Sequence, residues 1–232
     1  MSKIDKLLKI ADKIDEKGLP LEADAIWEVT QEIVKEAAKD MHPCGLKNST
    51  VDDHKELFEG YKKAKDYYES EYRKAIRSRN EVESPNMGKL RDITSNYPHN
   101  CNAVRFHQMY FDDVVDCKPC SLDKDSEMAQ LVKSMYDGGQ LIEEMKRVAK
   151  VTRNGWVVLN YCTMTKLLYL DIVDLHDQHV IACALPILVL DMWEHAYIAD
   201  FGTDKEAYVD WFIDRIDWRN PRKRLKNFMR IK

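Results

Sequence analysis

Asp191-Met192-Trp193-Glu194-His195 sets a carboxylate and an imidazole four positions apart near the end of the chain. The carboxylate offers a hard oxygen and a neutral imidazole a nitrogen, a pair suited to a transition metal. The flanks are apolar, Pro186-Ile187-Leu188-Val189-Leu190 before and Ala196-Tyr197-Ile198 after. Either ionisable group would be costly to bury alone there, so each calls for a partner or an ion. A buried Asp–His hydrogen bond meets the same need, and the spacing does not choose between the two. Two further histidines, His54 and His107, lie on apolar stripes of separate helix-patterned segments. Each alone suits a satisfied core residue. Together with His195 and Asp191 they make an N3O donor set of the kind that binds Mn, Fe or Zn.

The elements that must position these groups follow from hydrophobic periodicity. Ile4, Leu7, Leu8, Ala11 and Ile14, then a break at Gly18-Leu19-Pro20 and a second helix from about Leu21 to Ala38, predict an N-terminal helical hairpin. A third helix starts near Ser49-Thr50, where hydroxyls suit an N-cap, and runs to about Arg79 with His54, Leu57, Phe58, Tyr61 and Ala64 on its apolar side. Asn100 to Val115 is helical again, with His107 on the apolar face. Helices over 125–136 and 139–151 follow. The period then changes: Gly155–Tyr161 and Leu167–Val173 are β-branched and aromatic runs that predict a hairpin, and Pro186–Leu190 a third, buried strand. A last helix covers Lys205–Ile216, ahead of a basic tail. The fold class is α+β, with a helical extension over 1–42, a helical domain over 43–120 and an α/β domain with a small antiparallel sheet over 121–232.

The 232 residues can bury a full core. A net charge of −4 gives no footprint for nucleic acid, and the longest apolar run, Val180–Leu190, is too short to span a membrane. The charged N-terminus shows no secretory signal. Six scattered cysteines read as reduced thiols of a cytoplasmic protein. Cys117-Lys118-Pro119-Cys120, with no second pair, reads as loop thiols rather than a redox or zinc element.

Several segments in register resemble the iron/manganese superoxide dismutases, over roughly residues 46–226. Asp191-Met192-Trp193-Glu194-His195-Ala196-Tyr197 is similar to that family's D-x-W-E-H-A-Y motif. Thr50–His54 and His107-Gln108-Met109-Tyr110-Phe111 resemble its two N-terminal ligand helices, Gly155–Tyr161 its first C-terminal strand, and Val209–Trp218 its closing helix. The resemblance implies that His54, His107, Asp191 and His195 hold one Mn or Fe per subunit, converting superoxide to dioxygen and hydrogen peroxide. It implies Gln178, in the manganese-type position, as the residue tuning the bound solvent, with neighbouring His176 as competitor. Ala103 at the iron-type position favours Mn. Tyr61 becomes the gateway and a catalytic residue with Gln178, and Trp156 and Trp193 the apolar shell. Glu194 is implied to bridge a homodimer or larger homo-oligomer by reaching the other subunit's His195.

The chain departs from that pattern at the gate. The family Tyr would fall at Lys62, one residue after Tyr61. Phe58 and Ile198 replace a paired His and Tyr, and losing both members of a hydrogen bond is far cheaper than losing one. Arg105 replaces an aromatic residue. These departures support a second reading, a dismutase-like, metal-stabilised structural or interaction protein.

Overall fold

The computed structural model describes residues 41–42, 44–77, 87–114, 121–122, 126–136 and 140–230, with isolated helical positions at 10, 13–14, 25–26 and 29–30. Apart from those positions, the expected N-terminal hairpin lies outside the described residues, as does Cys117–Cys120. Helix α1 (Asn48–Arg77) buries Thr50, Val51, His54 and Phe58. Thr50, His54 and Phe58 are four apart, a spacing that returns a helix to nearly the same face. Glu59–Lys62, Lys65–Glu69 and Glu69–Arg73 pair on its outer side. Helix α2 (Met87–Asp113) runs back antiparallel, with Lys89 on Glu71 at 3.0 Å and Tyr97 stacked on Tyr72.

α2 begins well before Asn100, where the apolar pattern places its start, and continues through Pro98. An interior proline removes an N–H and normally ends a helix. Here the packing on α1 holds the turn, and the Asn96 and Asn100 amides donate to the carbonyls of Asp92 (2.9 Å) and Asn96 (2.8 Å).

The C-terminal half opens with α3 (Glu127–Met135), capped by Ser126 Oγ accepting from Ala129 N, and α4 (Leu141–Val151), which buries Leu141, Met145 and Ala149. A three-stranded antiparallel sheet of order β2-β1-β3 follows, with β1 (Gly155–Cys162), β2 (Leu168–Asp174) and β3 (Ala184–Asp191). Central β1 is buried along its whole length, which explains its unbroken apolar run. The register sets Trp156 of β1 opposite Asp191, the last residue of β3. Gly155 stands at φ +155, and a Cβ there would collide with the Val173 carbonyl. Its own carbonyl accepts from Met192 N at 2.9 Å, pinning the chain just beyond Asp191.

A 3-10 turn (Glu194–Ala196), a single turn α5 (Ile198–Phe201) and α6 (Lys205–Ile213) come next. α6 stops short of Ile216, which instead bridges Val114 at the end of α2. The basic tail is itself helical, α7 (Arg219–Phe228). Pro221 sits in its first turn, where the missing N–H has no intrahelical partner to lose, and Leu225 is buried. No helix among the described residues is long and apolar enough to cross a membrane.

Arg224 joins the two halves. Its guanidinium donates to both oxygens of Asp113 (2.8 and 2.6 Å) and to the Ile187 carbonyl of β3 (2.9 Å). Burial pushes the Asp113 carboxyl up to about 7 against the pull of Arg224. Arg224→Met strands that carboxylate and is expected to cost about 3 kcal/mol or more at pH 8. The cost shrinks at pH 5, where Asp113 takes up a proton. Urea midpoints at the two pH values check this, and equal losses at both would contradict it.

Candidate metal centre

Four elements converge on one carboxylate. Asp191 is fully buried at the end of β3. Its Oδ1 accepts the Trp193 backbone N–H at 2.8 Å, which turns the chain into the 3-10 segment and brings His195 back over Asp191. Its Oδ2 lies 3.2 Å from His195 Nε2, 3.3 Å from His54 Nε2 and 3.8 Å from His107 Nε2. One donor atom from each residue lies within 4.8 Å of the others. Sequence separation hides this meeting: α1 supplies His54, α2 His107, and the β3 end with its following turn the remaining two.

The donor set fits a cation. His107 Nδ1–H donates to the Ala103 carbonyl at 2.7 Å, which leaves a lone pair on Nε2. His54 Nε2 and His107 Nε2 are buried and lack any hydrogen-bond partner. Buried polar atoms are rarely left so. A nitrogen lone pair aimed at a carboxylate oxygen is repulsive until a positive ion lies between them. Three imidazoles and a carboxylate are donors for borderline first-row metals.

The surrounding shell is aromatic. The rings of Trp156, Tyr61 and Phe58 lie 4.9, 5.2 and 6.0 Å from that of His107, and Phe111 lies 4.9 Å from His54. Trp193 stacks near His195 and more closely on His176. A hydrogen-bonded chain runs behind the cluster. Trp156 Nε1–H donates to His176 Nδ1 at 2.9 Å, so His176 carries its proton on Nε2 and donates it to the Tyr61 hydroxyl, also at 2.9 Å. Tyr61 therefore keeps its own O–H free to donate.

Tyr61, Trp156 and Trp193 thus join the four donors, whereas Gln178 does not. Gln178 is exposed in the turn after β2, its backbone N–H on the Asp174 carbonyl at 3.1 Å. The cause is local. Leu175 adopts φ 53, and the turn folds His176 inward to 1% exposure while carrying Gln178 out. His176, the competitor, takes the interior place. Phe58 is buried between His107 and Phe111, while Ile198 (46% exposed) and Glu194 face outward. Arg105 is exposed and lines a separate cleft with Phe106, Asn160 and Phe228. His99, which stands in no sequence motif, contacts Asp177 at 3.3 Å and the His176 ring edge-on. Its signal was its position eight residues before His107, near the same helix face.

The family model described as iron/manganese superoxide dismutases, C-terminal domain, matches residues 124–224. A manganese superoxide dismutase of Halobacterium salinarum is 29% identical over 140 residues, 60% of this chain and 66% of that protein. An iron superoxide dismutase of Methanothermobacter marburgensis is 28% identical over 120 residues, 51% of this chain and 59% of its own length. A Mn/Fe superoxide dismutase of Aeropyrum pernix is 26% identical over 139 residues, 59% of this chain and 63% of that protein. The chain thus spans a little under two thirds of the length of these relatives.

The electrostatics favour metal-ready donors. Burial lowers the His54 and His107 imidazoles, the latter to about 4. Burial alone would raise Asp191, but its close contacts with His195 and His54 outweigh it and hold the carboxyl below its usual range. A histidine kept neutral by folding loses stability as pH falls, because the unfolded chain binds the proton first. From His107 alone, the metal-free protein is expected to lose about 2 kcal/mol between pH 7 and pH 5. Chemical denaturation of metal-free protein at both pH values checks this, and a pH-independent midpoint would contradict it.

Proposed function

We propose that the chain is a member of the iron/manganese superoxide dismutase family and converts superoxide to dioxygen and hydrogen peroxide with one manganese or iron ion per chain. His54 and His107, from the helical region over 43–120, and Asp191 and His195, from the α/β region over 121–232, would hold the ion. The observation that carries this reading is the pair of buried, unpartnered imidazole nitrogens on His54 and His107 beside Asp191. When bound, the ion supplies one-electron cycling between its trivalent and divalent states.

The chain's own groups do the rest. Asp191 brings the negative charge that favours the more highly charged ion, and its buried setting strengthens that effect. The Ala103 carbonyl fixes the His107 tautomer. Trp156 and His176 orient the Tyr61 hydroxyl through their hydrogen bonds. Burial, with a smaller contribution from Asp191, raises Tyr61, so it keeps its proton at neutral pH as a donor at the site mouth, where peroxide formation consumes two protons. Phe58 and Phe111 exclude water. The sequence-based preference for manganese rests on Gln178 and on Ala103 at the iron-type position, and the exposed position of Gln178 removes the first of these supports.

Outward-facing Glu194 and exposed, apolar Ile198 lie beside His195 and suit a face shared with a second copy of the chain. The free thiol of Cys101 suits a reducing compartment such as the cytoplasm. A purely structural role is less well supported, since a scaffold gains nothing from two stranded buried nitrogens.

Superoxide decay followed by stopped flow, on protein loaded with Mn or with Fe, tests the activity. We expect decay well above that of the free metal with at least one of the two ions, and loss of both metal and activity in His195→Ala. Full metal loading with background decay would overturn the enzyme reading. Removing His176's hydrogen bonds with His176→Leu should slow decay about 10-fold or more with metal retained, while Gln178→Ala leaves the rate unchanged. Equal losses in both variants would overturn the assignment to His176.

A further inference from the structure

Far along the sheet from the donor cluster, two cysteines meet at the opposite end of β1. Cys162 is the last residue of β1, and Cys183 immediately precedes β3. Their sulfurs lie 3.2 Å apart. The backbone holds them there: Thr163 N donates to the Cys183 carbonyl at 2.8 Å, its hydroxyl donates to the same oxygen at 3.0 Å, and Cys162 pairs with Ala184 in the β1–β3 register. Both are free thiols, Cys162 buried and Cys183 partly exposed at the sheet edge. A disulfide requires its sulfurs to close to about 2.05 Å, a shift of about 1 Å that rotation of two side chains supplies. The fold thus holds two thiols in place to react with one another.

We propose that Cys162 and Cys183 form a reversible oxidation site, closed to a disulfide by hydrogen peroxide, that ties the end of β1 to the start of β3 around β2 and His176. The Cys162 thiolate attacks one peroxide oxygen, the O–O bond breaks, and the departing hydroxide takes a proton to leave as water. Cys162 is then a sulfenic acid. The Cys183 thiol gives up its proton and attacks the Cys162 sulfur, the S–O bond breaks, and a second water leaves. Two thiols lose two electrons and one peroxide becomes two waters. Hydrogen bonds from Thr165 and then Cys183 hold the Cys162 thiol down to about 7, against the usual thiol range, so that it is the attacking partner. The same contact pushes Cys183 up, the usual consequence of sharing one proton between two sulfurs. A dithiol reductant reverses the bond.

Peroxide is added directly in the test, so its outcome is independent of whether the chain dismutates superoxide. Reduced, desalted full-length protein is treated with a few equivalents of hydrogen peroxide under native conditions, remaining thiols are alkylated, and the digest is read by mass spectrometry. The expected result is loss of two titratable thiols per chain, a cross-linked peptide pair joining Cys162 to Cys183, and full recovery with dithiothreitol. In Cys183→Ser, Cys162 should instead be trapped as a sulfenic acid by dimedone. The proposal is overturned if both cysteines remain alkylatable while free glutathione in the same tube is oxidised. It is equally overturned if Cys162 passes to sulfinic or sulfonic acid in the wild type without a cross-link, or if the disulfide joins other cysteines. The wild-type cross-link is decisive even if the variant fails to fold.

Discussion

A fully buried carboxylate governs this structure. Asp191 has given up water, and ionised groups tolerate that only where positive charge and hydrogen bonds replace it. One oxygen is satisfied by the Trp193 backbone, and the other faces three imidazole nitrogens, two of which have no proton-sharing partner of their own. An arrangement of this kind is costly as a metal-free core and favourable as a cation cage. The surrounding fold can be understood as what keeps four donors from relaxing away from one another.

Two separate scaffolds share that task. The α1–α2 hairpin presents His54 and His107 from facing stripes, and the ring of His107 is locked by a carbonyl one turn back on its own helix. The β1–β3 register sets Asp191 against Trp156, Gly155 fixes the next peptide, and the 3-10 turn returns His195. Arg224, hydrogen-bonded to Asp113 and the Ile187 carbonyl, clamps the hairpin to the sheet. The hydrogen-bonded series Trp156, His176, Tyr61 then links the sheet to α1 across the cluster. Both scaffolds thus meet again behind the donors.

Much of this was readable from residue patterns. The α+β order, the strand runs and the four donors are each local signals, a 3.6 or a 2 period broken by polar groups that have no reason to be apolar-faced. The four-residue spacing of Asp191 and His195 left a metal pair and a buried hydrogen bond both open, because the pair spans a strand end and a tight turn and its geometry is tertiary. Gln178 and His176 differ by two positions, and only the left-handed turn at Leu175 decides which of them points inward. Proline statistics argue for stopping a helix at Pro98, and tertiary packing overrode them. The sequence assigns no element to the basic tail because its helix is held by buried Pro221 and Leu225 and the Arg224–Asp113 ion pair, too few apolar positions to raise a periodic signal. The N-terminal hairpin lies outside the described residues.

The central claim is that His54, His107, Asp191 and His195 are the ligands of one ion. X-ray absorption at the metal edge, on protein loaded with one equivalent of manganese or iron, tests it most directly. The account predicts a first shell of three imidazole nitrogens with oxygen donors and no sulfur, and loss of one nitrogen or of the metal itself in His107→Ala. A shell built from sulfur, or from oxygen alone, or one unchanged by that substitution, would contradict it.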